Sequence, residues 1–348
     1  MLQRLNDAIA AVLTGRGLDH RTVYARAAVL PPDGSTIEFE CSDAGVRDAV
    51  LDRLSTSGER VPGLRTTLLP SPGTVPLLVT ISSVADIRRQ PAHASELVTQ
   101  SIYGDVLVPL KADGDWFLVR LDDGYLGWIR SWHAAATTPD RHDAFLQVAR
   151  WRVGTNHAAV LSAPEPRALP VTDLVVGSLL AGDPAGRRGW WEVRLADGKR
   201  GFIRSGQIEK RPSPGRPVRR DRLVATGLRF LGIPYLWGGN TPRGFDCSGL
   251  IQRIFRLNGL LLPRDSDQQA LFGQDKTGQG LGELNPGDLV FFAAEAQRVT
   301  HVAMVIPDRR IVHAYGQVIV NSLDPAHPLF APDLARIWRS SRDPLSSA

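Results

Sequence analysis

At 348 residues the chain is too long for one compact core, and at about 100–200 residues per domain it predicts two or three. Hydrophobic residues at 43% and charged residues at 22% exclude a disordered chain, and only two cysteines exclude a disulfide-stapled scaffold. A net charge of +5, from 41 basic and 36 acidic residues, reads as a solvated surface and predicts no nucleic-acid partner.

Residues 1–70 read as a small α+β domain. Met1 to Leu13 predicts an amphipathic surface helix with Leu2, Leu5, Ile9 and Val12/Leu13 on one stripe. Its longest apolar run, Ala8 to Leu13, is six residues, short of the about 7–15 of a secretory leader and the about 20 of a membrane span. The expectation is no membrane contact, with a cytoplasmic location if the chain is full length and an extracytoplasmic one if a leader has been removed. Thr22–Val29 and Ser35–Cys41 predict strands around a Pro31-Pro32-Asp33-Gly34 turn. Asp43 predicts the N-cap of a helix over Gly45–Leu54, and a last strand follows at Leu64–Leu69. Cys41 has no nearby histidine and reads as a buried thiol.

Residues 71–211 contain a repeat. Trp116–Arg130 (WFLVRLDDGYLGWIR) and Trp190–Arg204 (WWEVRLADGKRGFIR) are 74 residues apart and share nine of fifteen positions. Each copy alternates as a strand, turns at Asp-Gly and continues as a second strand, which predicts a β-hairpin. Matching strand pairs lie upstream, Ala85–Arg88 with Ser95–Ser101 and Ala159–Leu161 with Val171–Ser178. The expectation is two tandem five-to-six-stranded barrels, residues 71–138 and 139–211. Lys210 to Arg222, rich in proline and basic residues, predicts a stiff solvated linker.

Residues 212–348 complete the linker and carry the chemistry. Asp221–Phe230 predicts a helix, and the Gly- and Pro-rich loop Gly232–Asn240 leads to Asp246-Cys247-Ser248-Gly249. In LIQRIFRLNG, Leu250, Ile251, Ile254 and Phe255 share one helical face, with Asp246 as N-cap and Gly259 as stop. Cys247 then stands in the first turn, where the macrodipole and free N–H groups are expected to lower its pKa and to receive an oxyanion. A base is available in the predicted hairpin Thr300–Ile306 and Arg310–Tyr315. His301 and His313 share a sheet face if the loop holds an odd number of residues, such as Pro307-Asp308-Arg309. His313 then orients His301 against Cys247. Zinc held by Cys247, His301 and His313 is the rival reading, disfavoured by the missing third ligand at close spacing.

The motifs PYLWGG, DCSG, LPRDSDQQ (residues 262–269), NPGDLVFF (residues 285–292), HVAMVI and VHAYG resemble those of the NlpC-type cysteine peptidases of bacterial cell walls. The tandem repeat resembles the bacterial SH3-like domains that accompany them. The resemblance implies a multidomain α+β chain, with a papain-like peptidase domain behind two SH3-like barrels. Residues 1–70 lie outside it. It further implies Cys247 as nucleophile, His301 as general base and acid, and His313 as the orienting residue. Tyr235 would line the active site beside the oxyanion, and Asp246 and Ser248 would hold a D-glutamyl group.

The same resemblance points to γ-D-glutamyl-L-diamino-acid endopeptidases of peptidoglycan stem peptides, with meso-diaminopimelate or L-Lys in third position. The free amine of the terminal L-Ala would be bound by Asp265 of the Arg-Asp-Ser motif with Glu96 and Tyr125 of the first barrel, and Ser266 of that motif would also contact substrate. The second copy carries Lys199 where the first has Tyr125 and Asp173 where the first has Glu96, so only the first supplies the tyrosine. A free-amine requirement suggests turnover or recycling of released muropeptides by a monomer that needs no metal or organic cofactor. The rival functions are an N-acetylmuramoyl-L-alanine amidase on the same fold and a non-catalytic wall-binding protein.

Overall fold

The computed structural model describes residues 1–31, 35–58, 61–71, 73–213, 215–294 and 298–346. Pro32, Asp33 and Gly34 of the predicted first turn, and Pro214 of the predicted linker, lie outside the described residues.

The N-terminal unit packs helices α1 (Leu2–Gly15) and α2 (Ala44–Thr56) on a three-stranded sheet of Ala25–Leu30, Thr36–Cys41 and Leu64–Leu68. Leu5, Ile9 and Leu13 of α1 face Phe39, Val46 and Val50, so the apolar stripe is what docks the helix. Asp43 caps α2 by accepting from Val46 N at 2.8 Å. Cys41 is a free, buried thiol in this core. The first strand starts at Ala25 rather than Thr22. Residues 19–23 instead form a turn, with Val23 N and Thr22 N donating to Asp19 O.

Two seven-stranded β units follow, spanning strands from Leu77–Thr80 to Ala134–Thr137 and from Trp151–Val153 to Ile208–Lys210. Both Asp-Gly hairpins are present, Trp116–Arg120 with Leu126–Arg130 and Trp190–Arg194 with Arg200–Arg204. The expected five to six strands per unit become seven, because Val106–Asp113 and Leu179–Pro184 also pair and the chain ends of each unit add short strands. The second unit begins later than residue 139. Pro139–Val148 is helix α3, favoured by proline at its first position and by Thr138 accepting from Arg141 N.

The expected match of Glu96 with Asp173 also fails. Val84 pairs with Ile102 as His157 pairs with Val175, and Arg88 pairs with Leu97 as Leu161 pairs with Pro170. The counterpart of Asp173 is therefore Gln100, and that of Glu96 is Leu169. Ladder register, not sequence likeness over a short bulged strand, sets the correspondence.

In the C-terminal unit, α4 (Arg220–Arg229) and α5 (Cys247–Leu257) pack on a six-stranded sheet, and α6 (Ser266–Gln269) borders α5. Leu250, Ile251, Ile254 and Phe255 of α5 join Met304, Val312 and Ala314 in one core. The predicted linker is partly structural. Its Arg220 begins α4 and pairs with the buried carboxylates of Asp288 and Asp343, both at 2.7 Å.

Helix α5 is buried on both faces because the first β unit covers the side away from the sheet. Asn240 Nδ2 donates to Thr99 Oγ1 and Thr241 Oγ1 to Gln100 Oε1, while Gln252 Nε2 donates to Asp123 Oδ2. Gly238, at φ +76°, lies where a Cβ would be 2.3 Å from Leu97 O, so only glycine permits that approach. Arg264, 1% exposed, donates Nη2 to Asp246 Oδ2 at 2.6 Å, Nη1 to Ser248 Oγ at 3.0 Å and Nε to Thr99 Oγ1 at 3.0 Å.

Replacing Arg264 by Met leaves the Asp246 carboxylate buried without its cation, which should cost about 3–5 kcal/mol. Denaturant unfolding measures it, and a loss below about 1 kcal/mol would contradict this account of the interface.

Candidate active site

Cys247 is the first residue of α5, placed there by the Asp246 cap: Asp246 Oδ1 accepts from Gly249 N at 2.6 Å. Gly249 is required sterically, since a Cβ there would lie 2.1 Å from Gly239 O. The backbone N–H groups of Val302 and Ser248 are directed at the Cys247 sulfur, so the start of α5 meets the strand His301–Ile306 at the residue after His301.

The hairpin has the register expected from the even spacing of its histidines. Ile306 pairs with Arg310 and Met304 with Val312, leaving Pro307, Asp308 and Arg309 as the loop. Asp308 and Arg309 take left-handed φ of 63° and 56° to close it. His301 and His313 therefore share a face, with His301 Nε2 and His313 Nδ1 2.8 Å apart.

A fourth residue continues the chain. His313 Nε2 lies 2.9 Å from Asn321 Oδ1, and Asn321 Nδ2 points to Leu329 O at 3.5 Å. The amide oxygen can only accept, so His313 carries its proton on Nε2 and presents a lone pair on Nδ1. His301 must then donate Nε2–H to His313, which leaves His301 Nδ1 as the free acceptor. Both ring nitrogens of His313 are engaged, which removes the zinc reading that counted it as a ligand. Asn321 was missed in the sequence. Its signal was available: His313 pairs with Ile319, and Asn321, two residues on, returns to the same face.

The surroundings of the sulfur oppose the lowered thiol pKa expected from its place in the helix. Burial pushes the Cys247 thiol up to about 12, with the Asp246 carboxylate adding to the rise; the Val302 and Ser248 N–H groups and Arg264 only partly offset it. Burial, then His313, holds His301 down at about 3, and burial also lowers His313. Both shifts favour the neutral thiol and the neutral imidazole. Burial of Cys247, which is 7% exposed, and the carboxylate that precedes it oppose the field of the helix start.

A cavity of about 790 Å³ opens over Cys247. Tyr235, Asp246, Ser248, Asp265, Ser266, Glu96 and Tyr125 all line it, so each substrate-contacting residue expected from the sequence is brought to one place. Burial, with Cys247 and Asp246 nearby, pushes the Tyr235 phenol up to about 12 and keeps it a hydrogen-bond donor. Asp246 is already saturated by Gly249 N, Gly238 N, Ser248 Oγ and Arg264, so its carboxylate has a structural duty the sequence did not announce. Tyr125 is 2% exposed, and its hydroxyl donates to Asp265 Oδ2 at 2.9 Å. Glu96 accepts from Trp237 Nε1 at 3.0 Å and from Arg89 Nε at 3.3 Å.

Two further contributors had no assigned role in the sequence. Arg264 stood inside LPRDSDQQ, and its burial is a tertiary fact. Residues Gly17–Arg21 of the N-terminal unit form part of the cavity wall, with Arg21 bonded to Asp265 across 244 positions of sequence.

Residues 232–339 match the NlpC/P60 family, and residues 87–133 match the bacterial dipeptidyl-peptidase Sh3 domain. The chain is 31% identical over 267 residues to dipeptidyl-peptidase 6 of Lysinibacillus sphaericus, covering 74% of this chain and 95% of that protein. The chain belongs to the NlpC/P60 family. It is a cysteine-type peptidase with a bacterial SH3-like domain ahead of a papain-like one. The gamma-D-glutamyl-L-lysine dipeptidyl-peptidase of Bacillus subtilis (strain 168) is 30% identical over 234 residues, 62% of this chain and 71% of that one. An NlpC/P60 family protein from Bacillus cereus ATCC 10987 superposes with a TM-score of 0.65 at 22% identity, over 77% of this chain and 99% of its own. An NlpC/P60 endopeptidase from Photobacterium damselae subsp. piscicida shares the fold over 99% of this chain and 84% of its own, at TM-score 0.57 and 14% identity.

Two outcomes check this site. Alkylation of Cys247 by iodoacetamide should rise about tenfold per pH unit from pH 7 to 9, as the thiolate fraction grows towards a raised pKa; a plateau from pH 5 to 8 would instead show a preformed ion pair. Asn321→Leu should lower kcat about tenfold to hundredfold, while Asn321→Asp, which keeps the acceptor, should lose far less; equal losses would remove Asn321 from the proton chain.

Proposed function

We propose that the chain hydrolyses the γ-D-Glu–diamino-acid bond of peptidoglycan stem peptides that carry a free N-terminal L-Ala. The observation that carries this reading is the Tyr125 hydroxyl on Asp265, which joins the SH3-like domain to the peptidase domain inside the Cys247 cavity. A carboxylate and a phenol side by side suit an ammonium group, through charge-assisted hydrogen bonds and an aromatic wall. Glu96 supplies a second carboxylate on the same wall. The relatives named for γ-D-glutamyl-L-lysine cleavage support the substrate class.

In the proposed reaction Cys247 attacks the γ-carbonyl of D-Glu as its proton passes to His301 Nδ1. N–H groups at the start of α5, with the Tyr235 phenol, receive the oxyanion. His301 then protonates the leaving amine of the diamino acid, the C–N bond breaks, and a thioester to D-Glu remains. Water, deprotonated by His301, attacks the thioester and releases L-Ala-γ-D-Glu with the thiol restored. His313 and Asn321 hold the ring of His301 throughout. Ser266 offers a hydroxyl to the D-glutamyl part, while Ser248, which donates to Asp246 and accepts from Arg264, holds the wall beneath it. We read the second β unit as a further SH3-like barrel and the role as turnover or recycling of released muropeptides.

Incubation with L-Ala-γ-D-Glu-diaminopimelate and with the L-Lys analogue should release L-Ala-γ-D-Glu, seen by mass analysis, and Cys247→Ala should abolish it. Release of intact stem peptide from a muramoyl-peptide would instead identify an amidase, and N-capped peptides cut as fast as free ones would remove the recycling role.

A further inference from the structure

The N-terminal unit reaches the cavity through five consecutive residues, Gly17, Leu18, Asp19, His20 and Arg21. Arg21 is the anchor. Its Nη1 donates to Asp265 Oδ2 at 2.7 Å and to Asp267 Oδ1 at 2.8 Å, its Nη2 to Asp267 Oδ2 at 3.1 Å, and its Nε to both oxygens of Asp19 at 2.9 Å. The side chain is 12% exposed. The segment is clamped elsewhere too. Arg21 O accepts from Leu126 N at 2.8 Å, and Gln268 Nε2 donates to Asp19 Oδ2 at 2.9 Å.

These bonds fall at one informative atom. Asp265 Oδ2 accepts from Tyr125 and from Arg21 together. If the substrate amine sits at Tyr125 and Asp265, the guanidinium stands immediately behind it. We propose that residues 17–21 are the end wall of the substrate cleft and that Arg21 is a specificity-determining residue, closing the space beyond the terminal amine. This rests on the free-amine reading above and deepens it.

The charges are consistent with that role. Asp19, Asp265 and Asp267 stand against Arg21 and, 3.8 Å from Asp267, Arg298, while Arg264 is matched by Asp246; the cluster keeps a net −1 and still attracts an ammonium while Arg21 occupies the volume behind. An acylated N-terminus loses the ammonium charge and would also have to move a guanidinium held by three carboxylates. Arg21 is not built as a plug that substrate displaces. Its Nε is tied to Asp19 on its own loop and its carbonyl to Leu126, so the side chain cannot leave while the loop stays docked.

The test uses full-length Cys247→Ala protein, with and without Arg21→Ala or Arg21→Lys, and calorimetric titration with L-Ala-γ-D-Glu-L-Lys and its N-acetyl form. The parent should bind the free peptide and discriminate strongly against the capped one. Arg21→Ala should shrink that ratio by about tenfold or more, through tighter capped and weaker free binding, with Arg21→Lys between the two. Thermal melting of each variant confirms folding, and Arg21→Lys carries the test if Arg21→Ala does not fold. An unchanged ratio in a folded variant overturns the wall. Tighter binding of the free peptide alone would instead reveal a displaceable plug and equally overturn it. Discrimination by the parent without cleavage by the Cys247 enzyme would overturn the proposed reaction and leave the wall standing; binding of neither peptide would overturn both.

Discussion

One buried ion pair holds the peptidase site together. Asp246 caps the helix that begins with Cys247, and Arg264, fully enclosed, neutralises it while reaching Thr99 of the SH3-like domain. A charged pair in such a place gains little over a well-packed apolar one, but neither partner can be left alone there. Its consequence is geometric. The same few atoms set where the helix starts, where the sulfur points and how the first β unit meets the peptidase domain.

Around that pair the site is a set of nested constraints. The Asn321 amide dictates the proton position on His313, and His313 dictates it on His301, which leaves Nδ1 as the free ring nitrogen of His301. Each link is a choice between donor and acceptor, so the tautomers of both imidazoles are set by an amide that cannot titrate. Burial favours the neutral thiol and the neutral imidazole, so desolvation works against a charged pair at this site.

The cavity is a joint product of three units that have separate cores. The peptidase domain supplies the reacting groups, the SH3-like domain a phenol and a carboxylate, and the N-terminal unit a guanidinium. A site assembled this way can restrict its substrates without any change at the nucleophile, because the walls belong to other folding units.

Much was legible in the chain itself. The helix start at Cys247 followed from Asp246 and the apolar spacing after it, the hairpin face shared by His301 and His313 from the parity of their spacing, and the repeat from nine matched positions. These are local signals, and short-range geometry decides them. Strand number in the β units and the true partner of Asp173 depended on ladder register and bulges, which a short repeat does not encode. The raised thiol pKa, the burial of Arg264 and the bond from Arg21 to Asp265 came only with tertiary packing. Desolvation and long-range ion pairs depend on which distant segments exclude water from one another, and no spacing along the chain records that.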